Sequence, residues 1–381
     1  MTDLVVAHCI GGEYTALCIA PQGQDNAPGN TVFGKLDRYI IRGYMGPFLV
    51  ATGVIVGLYV VAEAFSNLDI YLREAGSFFD ALWRMGQIYA LRLPTLLVHV
   101  LPIGMLVGAA YGIAQLSTNN EMTAMKASGL SFWRIMTPVY GISVVIAFLG
   151  LANRELVVPA AERIAAPAMQ RWTGKKDKNE RVVMYIEREQ TLFTIEYNVA
   201  REQVMTMTIT RKIADGQSVN LMAREAEYTK GGWVLRGVQS QGKVLEDQFW
   251  PTGLRPRDIE MELLPPDVQP LKIINRLLRN ATTDTERRSL LVRYYDHLAY
   301  PFAGIILVGL GVPFVVSNER IQRSRMIGMG VCIIICMIFY TVRFICTDLG
   351  DSGHLPPGLS GFLPIAIFAG LGMYMLENVH T

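Results

Sequence analysis

The sequence predicts an α-helical membrane protein with about six transmembrane helices and one β-sandwich or jelly-roll domain outside the bilayer. Two observations carry this. Of 381 residues 51% are hydrophobic, and they gather in long, nearly uncharged runs toward both ends of the chain. Such runs match the roughly 20 residues that a helix needs to cross a hydrocarbon core about 30 Å thick. Between them lies a polar block of short β-branched and aromatic stretches punctuated by turn residues, the pattern of consecutive strands. The net charge of +2 implies no strong field for nucleic acid.

Taken in order, residues 1–34 carry the turn-rich PQGQDNAPGN and no long apolar core, so they do not read as a signal peptide. They are expected to be a disordered cytoplasmic tail, or to follow from a start codon placed too early. The first span is expected over residues 39–64, with Arg42 near its start and Glu63 near its end. The second covers 91–116 and contains Pro94, His99 and Pro102; the third covers 132–152. After the polar block come 298–316, 327–345 and 358–376, the last interrupted by Pro364 and several glycines. Membrane helices tolerate such breaks when neighbours satisfy the freed carbonyls. The transmembrane parts are thus 35–155 and 298–381.

Lys and Arg in the short loops set the orientation. One side holds Lys35, Arg38 and Arg42, then Lys126 and Arg134, then Arg320, Arg323 and Arg325. The other holds Arg73, Arg84 and Arg92, and its last loop, 347–357, has no Lys or Arg. The basic side is expected to be cytoplasmic and to carry both termini of a multi-pass inner-membrane protein. The block 156–270 then faces outward, into the periplasm of a Gram-negative cell.

Within that block 181–187, 191–197 and 204–210 read as strands, and AREAEYTKGGWVLRGVQ reads as two strands around a Lys-Gly-Gly turn. Pro265, Pro266 and Pro270 close it. Residues 271–297 form a connector with Leu271, Ile274, Leu277 and Leu278 at amphipathic helical spacing. The five cysteines do not suggest a disulfide framework, because the polar block has none. Cys332 and Cys336 share a helix face, but no His or carboxylate nearby completes a metal set, so packing is their expected role.

The most specific stretch is LPTLLVHVLPIGMLVGAAYGIAQLSTNNEMTAMKASGLSFWRIMTPV. Pro94 and Pro102 within a span, Asn120-Glu121 at its end and Ala127-Ser128-Gly129 before the next span resemble the LptF/LptG (YjgP/YjgQ) permeases of the lipopolysaccharide-export ABC transporter. FSNLDIYL after the first span, Ala223, Ala226 and Trp233 in the hairpin, and LAYPFAGIILVGLGVPF in the fourth span agree with it. The resemblance runs from about residue 36 to the C-terminus.

Residues 118–129 read by themselves as a short polar helix between two spans, with Gly129 placed to end it. A solvated loop helix is one reading. The resemblance implies the other, a coupling helix docked in a groove of a cytosolic ABC ATPase dimer. Asn120, Glu121, Met122, Met125, Lys126 and Gly129 would then form the contact. The chain has no GxxxxGK[ST] phosphate loop, so ATP hydrolysis would belong to that separate subunit. No cofactor or metal is implied. The further implied partners are a second permease of the same family, a periplasmic bridge protein with a similar β domain, and the lipid substrate.

In the family, basic residues near the outer end of the first span meet the lipid phosphates. This chain departs from that pattern, with Glu63 and Asp69 there and only Arg73 just beyond. The substrate-contact candidates are Glu63, Arg73, Arg84, Arg92 and Arg343, and a related anionic glycolipid stands beside lipopolysaccharide as substrate. Arg343, deep in the fifth span, is a lipid contact or a snorkelling side chain. Glu63 pairs with a base of the partner or sits at headgroup level. His99 is a proton relay or a packed histidine. Val183, Phe193, Ile195 and Met207 would line a lipid slide through the β domain or form its core. Two other functions stand as alternatives: a membrane enzyme using Asp348, Asp351 and His354, or a scaffold or other ABC permease whose outer domain binds a protein. Turn-forming residues in LGDSGHLPP argue against the first. The span count and domain position argue against a lipoprotein-releasing permease.

Overall fold

The computed structural model describes residues 34–377 except 75–76, 173–178, 187–190, 199–202, 213–217, 230, 241–242, 245, 253, 282 and 318–324. Nearly all of the N-terminal tail, most of the basic loop TGKKDKNE, and Arg320 and Arg323 therefore lie outside the described residues, as do the side chains of Arg73 and Val183.

The helices in chain order are α1 (Lys35–Glu74), α2 (Phe78–Thr118), the short α3 (Glu121–Ala127) and α4 (Phe132–Ala152). A π-helical turn, Asn153–Val157, joins α4 to α5 (Val158–Trp172). Beyond the β domain come α6 (Pro256–Glu262), a 3-10 turn (Pro266–Val268) and α7 (Leu271–Asn280). The last three are α8 (Asp284–Ser317), α9 (Arg325–Asp351) and α10 (Pro357–Glu377). Among the described residues six helical stretches are long and apolar enough to cross a membrane, in the places the sequence predicts. The stretches outrun the apolar runs. After α4 the chain stays helical to Trp172, into the block expected to be β, because VPAAERIAAPAMQRW is amphipathic and lays one face on α2, with Ala166 reaching the β-domain core.

Helices α2 and α8 form the centre, with α1, α4, α9 and α10 around them. Gly104, Gly108 and Gly112 recur every four residues on α2 and bring α1 into close contact. A Cβ at Gly108 would lie 2.8 Å from the Phe48 Cα, and one at Gly112 would lie 3.0 Å from the Gly43 carbonyl oxygen. This is small-residue packing, the usual solution where lipid and protein are equally apolar. Pro102 has no N–H, so its helix cannot bond the Val98 carbonyl in the regular way. The Tyr300 hydroxyl of α8 donates to that oxygen at 3.0 Å, and Tyr340 of α9 donates to the His99 carbonyl at 3.1 Å. Cys332 and Cys336 are buried in this core.

The β domain is one antiparallel sheet of nine described strands: β1 (Asn179–Ile186), β2 (Thr191–Asn198), β3 (Gln203–Lys212), β4 (Ser218–Ala223), β5 (Glu225–Thr229), β6 (Gly232–Arg236), β7 (Gln239–Ser240), β8 (Lys243–Val244) and β9 (Gln248–Pro251). Strand β3 is its hinge, pairing β2 along one edge and both β4 and β5 along the other. The order β8-β7-β4-β3-β5-β6-β9 wraps the sheet around one core, as a jelly roll does. The predicted hairpin is present, with Thr229 opposite Gly232 and Gly231 at φ +100°, a conformation that favours glycine. Buried Phe193, Ile195, Met207, Ala223 and Trp233 meet Ala166 of α5 and Ile259 of α6. The Trp233 indole N–H donates to the Leu254 carbonyl at 2.9 Å.

Candidate functional site

Two polar regions stand out, one at each end of the helical bundle. At the basic end, α2 and α3 meet at a corner made by Asn120, whose φ of 59° is left-handed. Asparagine tolerates that conformation better than most side chains. The Asn119 amide donates to Glu121 at 3.2 Å and the Tyr39 hydroxyl of α1 donates to the same carboxylate at 2.6 Å. Beneath this, Asp37 is buried and receives two hydrogen bonds from Arg134 of α4, at 2.7 and 3.1 Å, and one from the Gly34 N–H at 3.0 Å. Three helix ends are thus fastened around α3.

The six candidates on this corner do not share one face. Asn120 and Gly129 are exposed, while Glu121, Met125 and Lys126 are half-buried, with the Lys126 ammonium 5.8 Å from the Phe132 ring centroid. Met122 is 5% exposed and belongs to this chain's own core, so it is not offered to a partner. The surface α3 does present is Thr123, Ala124, Ala127 and Ser128. Thr123 and Ala124 carry no signal in the sequence, while Ala127 and Ser128 belong to a motif that carries the resemblance. Only the packing of Met122 reveals that they face outward.

At the opposite end the described rim bases are all paired within the chain. Arg84 meets Asp80 at 2.6 Å, and Arg92 meets Glu63 at 3.0 Å and Glu162 at 3.6 Å. Thr95 adds a hydrogen bond to Glu162 at 2.7 Å. Glu63 therefore has an internal partner, the neighbouring helix α2, which sequence reasoning had not paired with it. Arg343 is held by both oxygens of Asp296, at 2.9 and 2.6 Å, with its guanidinium 4.6 Å from the Tyr300 ring centroid. It points inward, toward α8. Phe193, Ile195 and Met207 are fully buried in the β-domain core.

A residue that sequence reasoning passed over sits among these. Arg154 belongs to the π turn after α4, in a run, NRELV, that looks like the frayed end of a span. The turn directs Arg154 inward, where it is 8% exposed and lies 5.4 Å from the Tyr300 ring centroid. Its neighbour Glu155 contacts His297 and accepts from the Leu271 N–H at 3.3 Å, capping α7. Asn153 donates to the Pro94 carbonyl at 2.8 Å. One five-residue turn thus ties together α2, α7 and α8. Asp348, Asp351 and His354 lie around the end of α9, where the His354 N–H bonds the Leu349 carbonyl and its ring bonds Ser352 at 2.9 Å. That is a helix terminus, and its Ser352–His354 contact spans two residues of one exposed turn.

Outside the membrane spans, Glu262 at the end of α6 stands apart. Burial pushes its carboxyl up to about 7, with Arg276 opposing and Asp258 adding to the shift. Neither carboxyl oxygen has a hydrogen-bond partner among the described residues.

Comparison with known proteins brings these features together. A family model described as "Lipopolysaccharide export system permease LptF/LptG" matches residues 38–378. The chain is 19% identical over 378 residues to the "Lipopolysaccharide export system permease protein LptG" of Haemophilus influenzae, an alignment covering 91% of this chain and 99% of that relative.

Proposed function

We propose that this chain, which belongs to the lipopolysaccharide export system permease LptF/LptG family, is the membrane half of an ATP-driven exporter. It extracts lipopolysaccharide or a related anionic glycolipid from the inner membrane and passes it to a periplasmic bridge. The observation that carries the reading is the family match running through both the six-span bundle and the β domain between its halves. Both termini and α3 face the cytoplasm in this reading, and the β domain faces the periplasm. The ATPase is a separate subunit, and a second permease of the same family completes the pathway.

Physical chemistry supports a motor. A multi-acyl lipid leaves the bilayer at a cost of about 0.8 kcal/mol per methylene exposed, so extraction needs nucleotide energy and a continuous apolar route. The corner built on α3 suits force transmission, because the Asp37–Arg134 pair and the Tyr39–Glu121 bond connect it to α1 and α4. The outer-rim bases act through their pairs, which an incoming phosphate would have to compete with or extend.

The test is purification of the tagged chain in mild detergent, comparing wild type with Ala124→Arg on the outward face of α3. Wild type is expected to bring down an ABC ATPase and a second six-span permease, and the variant to lose the ATPase while keeping the permease. Glu121→Arg should lose it as well. A wild-type chain that purifies alone, where a known ABC complex stays intact, overturns the reading.

A further inference from the structure

We propose that the outer end of the bundle contains a binding site for a phosphoryl anion, built around Arg154. A cavity of about 230 Å³ lies between α2, the π turn, α8, α9 and the 3-10 turn. Arg154, Arg293, Arg343, His99 and His297 line it, together with Asp267 and Asp296. Counting full charges on that wall, three arginines face two aspartates. The Glu155 carboxylate, just behind, is occupied by His297 and the Leu271 N–H.

The arginines are not equivalent. Arg343 is neutralised by Asp296 through two short bonds. Arg154 has only a long 3.4 Å bond from Nη2 to the Asp267 carbonyl oxygen, and its buried Nε and Nη1 have no hydrogen-bond partner among the described residues. A buried guanidinium with two donors unmatched is costly unless an acceptor reaches it. Nε and Nη2 form the fork that takes two oxygens of a phosphate or carboxylate side by side, and of these Nε has no partner among the described residues and Nη2 only the long one. Arg154 and Arg343 also both lie against the ring of Tyr300, a like-charge approach that a shared anion would relieve.

Size decides what kind of anion. The cavity is several times the roughly 30 Å³ share of one water molecule, enough for a phosphoryl group with some hydration. The adjoining apolar cleft along Leu101, Met105 and Ile146 has only about 30 Å³, too little for an acyl chain. The ligand is therefore a phosphoryl group presented from the polar side, either free or on a lipid headgroup. The π turn gives the site its geometry, since a regular α-helix through Asn153–Val157 would rotate Arg154 and Glu155 to other faces. The site lies within one chain and requires no transport activity, so it stands apart from the export reading.

The experiment uses the full chain in neutral detergent. Its melting is followed as inorganic phosphate is titrated at constant ionic strength, and retained lipid is measured by native mass spectrometry after exchange into phosphatidylglycerol-containing micelles. Wild type should show saturable stabilisation by phosphate, selective retention of phosphatidylglycerol over a neutral lipid, or both. Arg154→Gln should weaken the response at least 10-fold. Arg293→Gln, on the more open wall, should weaken it 3- to 10-fold and decides the matter if Arg154→Gln does not fold. A response to phosphate assigns the free anion, and retention of lipid without a phosphate response assigns the headgroup. A wild type that does neither, or an Arg293→Gln chain that responds like wild type, overturns the site.

Discussion

Helices α1 and α9 and helices α2 and α8 are nearly alike in hydropathy and opposite in environment. The most apolar stretches of all four are about equally apolar, yet 17% and 22% of the first pair are buried against 72% and 67% of the second. Hydropathy reports whether a helix can leave water; it does not distinguish lipid from protein, which are equally apolar solvents. What distinguishes them here is where the small residues face, since Gly43, Gly46, Gly53 and Gly57 of α1 have open space beside their Cα atoms. Gly104, Gly108 and Gly112 let α1 approach α2, and Gly304 and Gly311 of α8 sit against Met105 and Leu106. The exposed sides of α1 and α9 carry Val54, Leu58, Ile334, Met337 and Phe344 instead, bulk that suits a lipid or partner surface.

The contrast breaks most visibly at Gly108. Gly108→Leu drives a side chain into the Phe48 backbone and should cost about 3 kcal/mol or more, near the upper end for overpacking. Val54→Leu on the exposed face should stay within about 0.5 kcal/mol. Thermal melts in detergent compare them, and equal melting temperatures would dissolve the distinction. Next in size is the basic corner. Arg134→Gln removes both side-chain hydrogen bonds to Asp37 and leaves it only the Gly34 N–H, which should lower the melting temperature in the same assay. Arg84→Gln, at a half-exposed pair, should cost less than about 1 kcal/mol.

Glu262 gives a smaller effect with a sign that depends on pH. Its carboxyl is raised from 4.5 to about 7 in the folded chain, so the folded state holds a proton that the unfolded state has released. Stability of the region around α6 should therefore fall as pH rises from about 4.5 to about 7, by something on the order of 2 kcal/mol. In Glu262→Gln this slope should flatten. Proteolysis of the β domain across pH 5 to 8 measures it, and an unchanged slope in the variant assigns the effect elsewhere. The smallest shift belongs to α9. Met337→Ala removes an exposed side chain and should change stability by less than about 0.5 kcal/mol, while reducing recovery of the second permease if that face is the partner surface.

Legibility followed the physics of each signal. The spans, the hairpin turning at Gly231 and the amphipathic start of α7 were readable, because periodicity and turn chemistry are local. The coupling candidates were readable as a segment but not as a face, since Met122 turns into the core and Ala124 outward. The rim bases were readable as charges but not as pairs. Glu63 and Arg92 are 29 residues apart, and Asp296 and Arg343 are 47. Arg154 was missed altogether, because a π turn has no composition of its own and its one charge looks like the polar end of a span.

The sequence by itself determined that this chain crosses a membrane six times, inserts a β domain after the third crossing and resembles a lipid-export permease. Those properties rest on length, hydropathy and short motifs, which act locally along the chain. Tertiary structure alone decided which apolar helices are core and which are surface, which charges are already neutralised, and that Arg154 keeps two buried donors unmatched among the described residues. Each of these depends on what a distant residue places within a few ångströms, and the energy of a charge or a hydrogen bond is set by that neighbour and its dielectric, not by the residue's own identity.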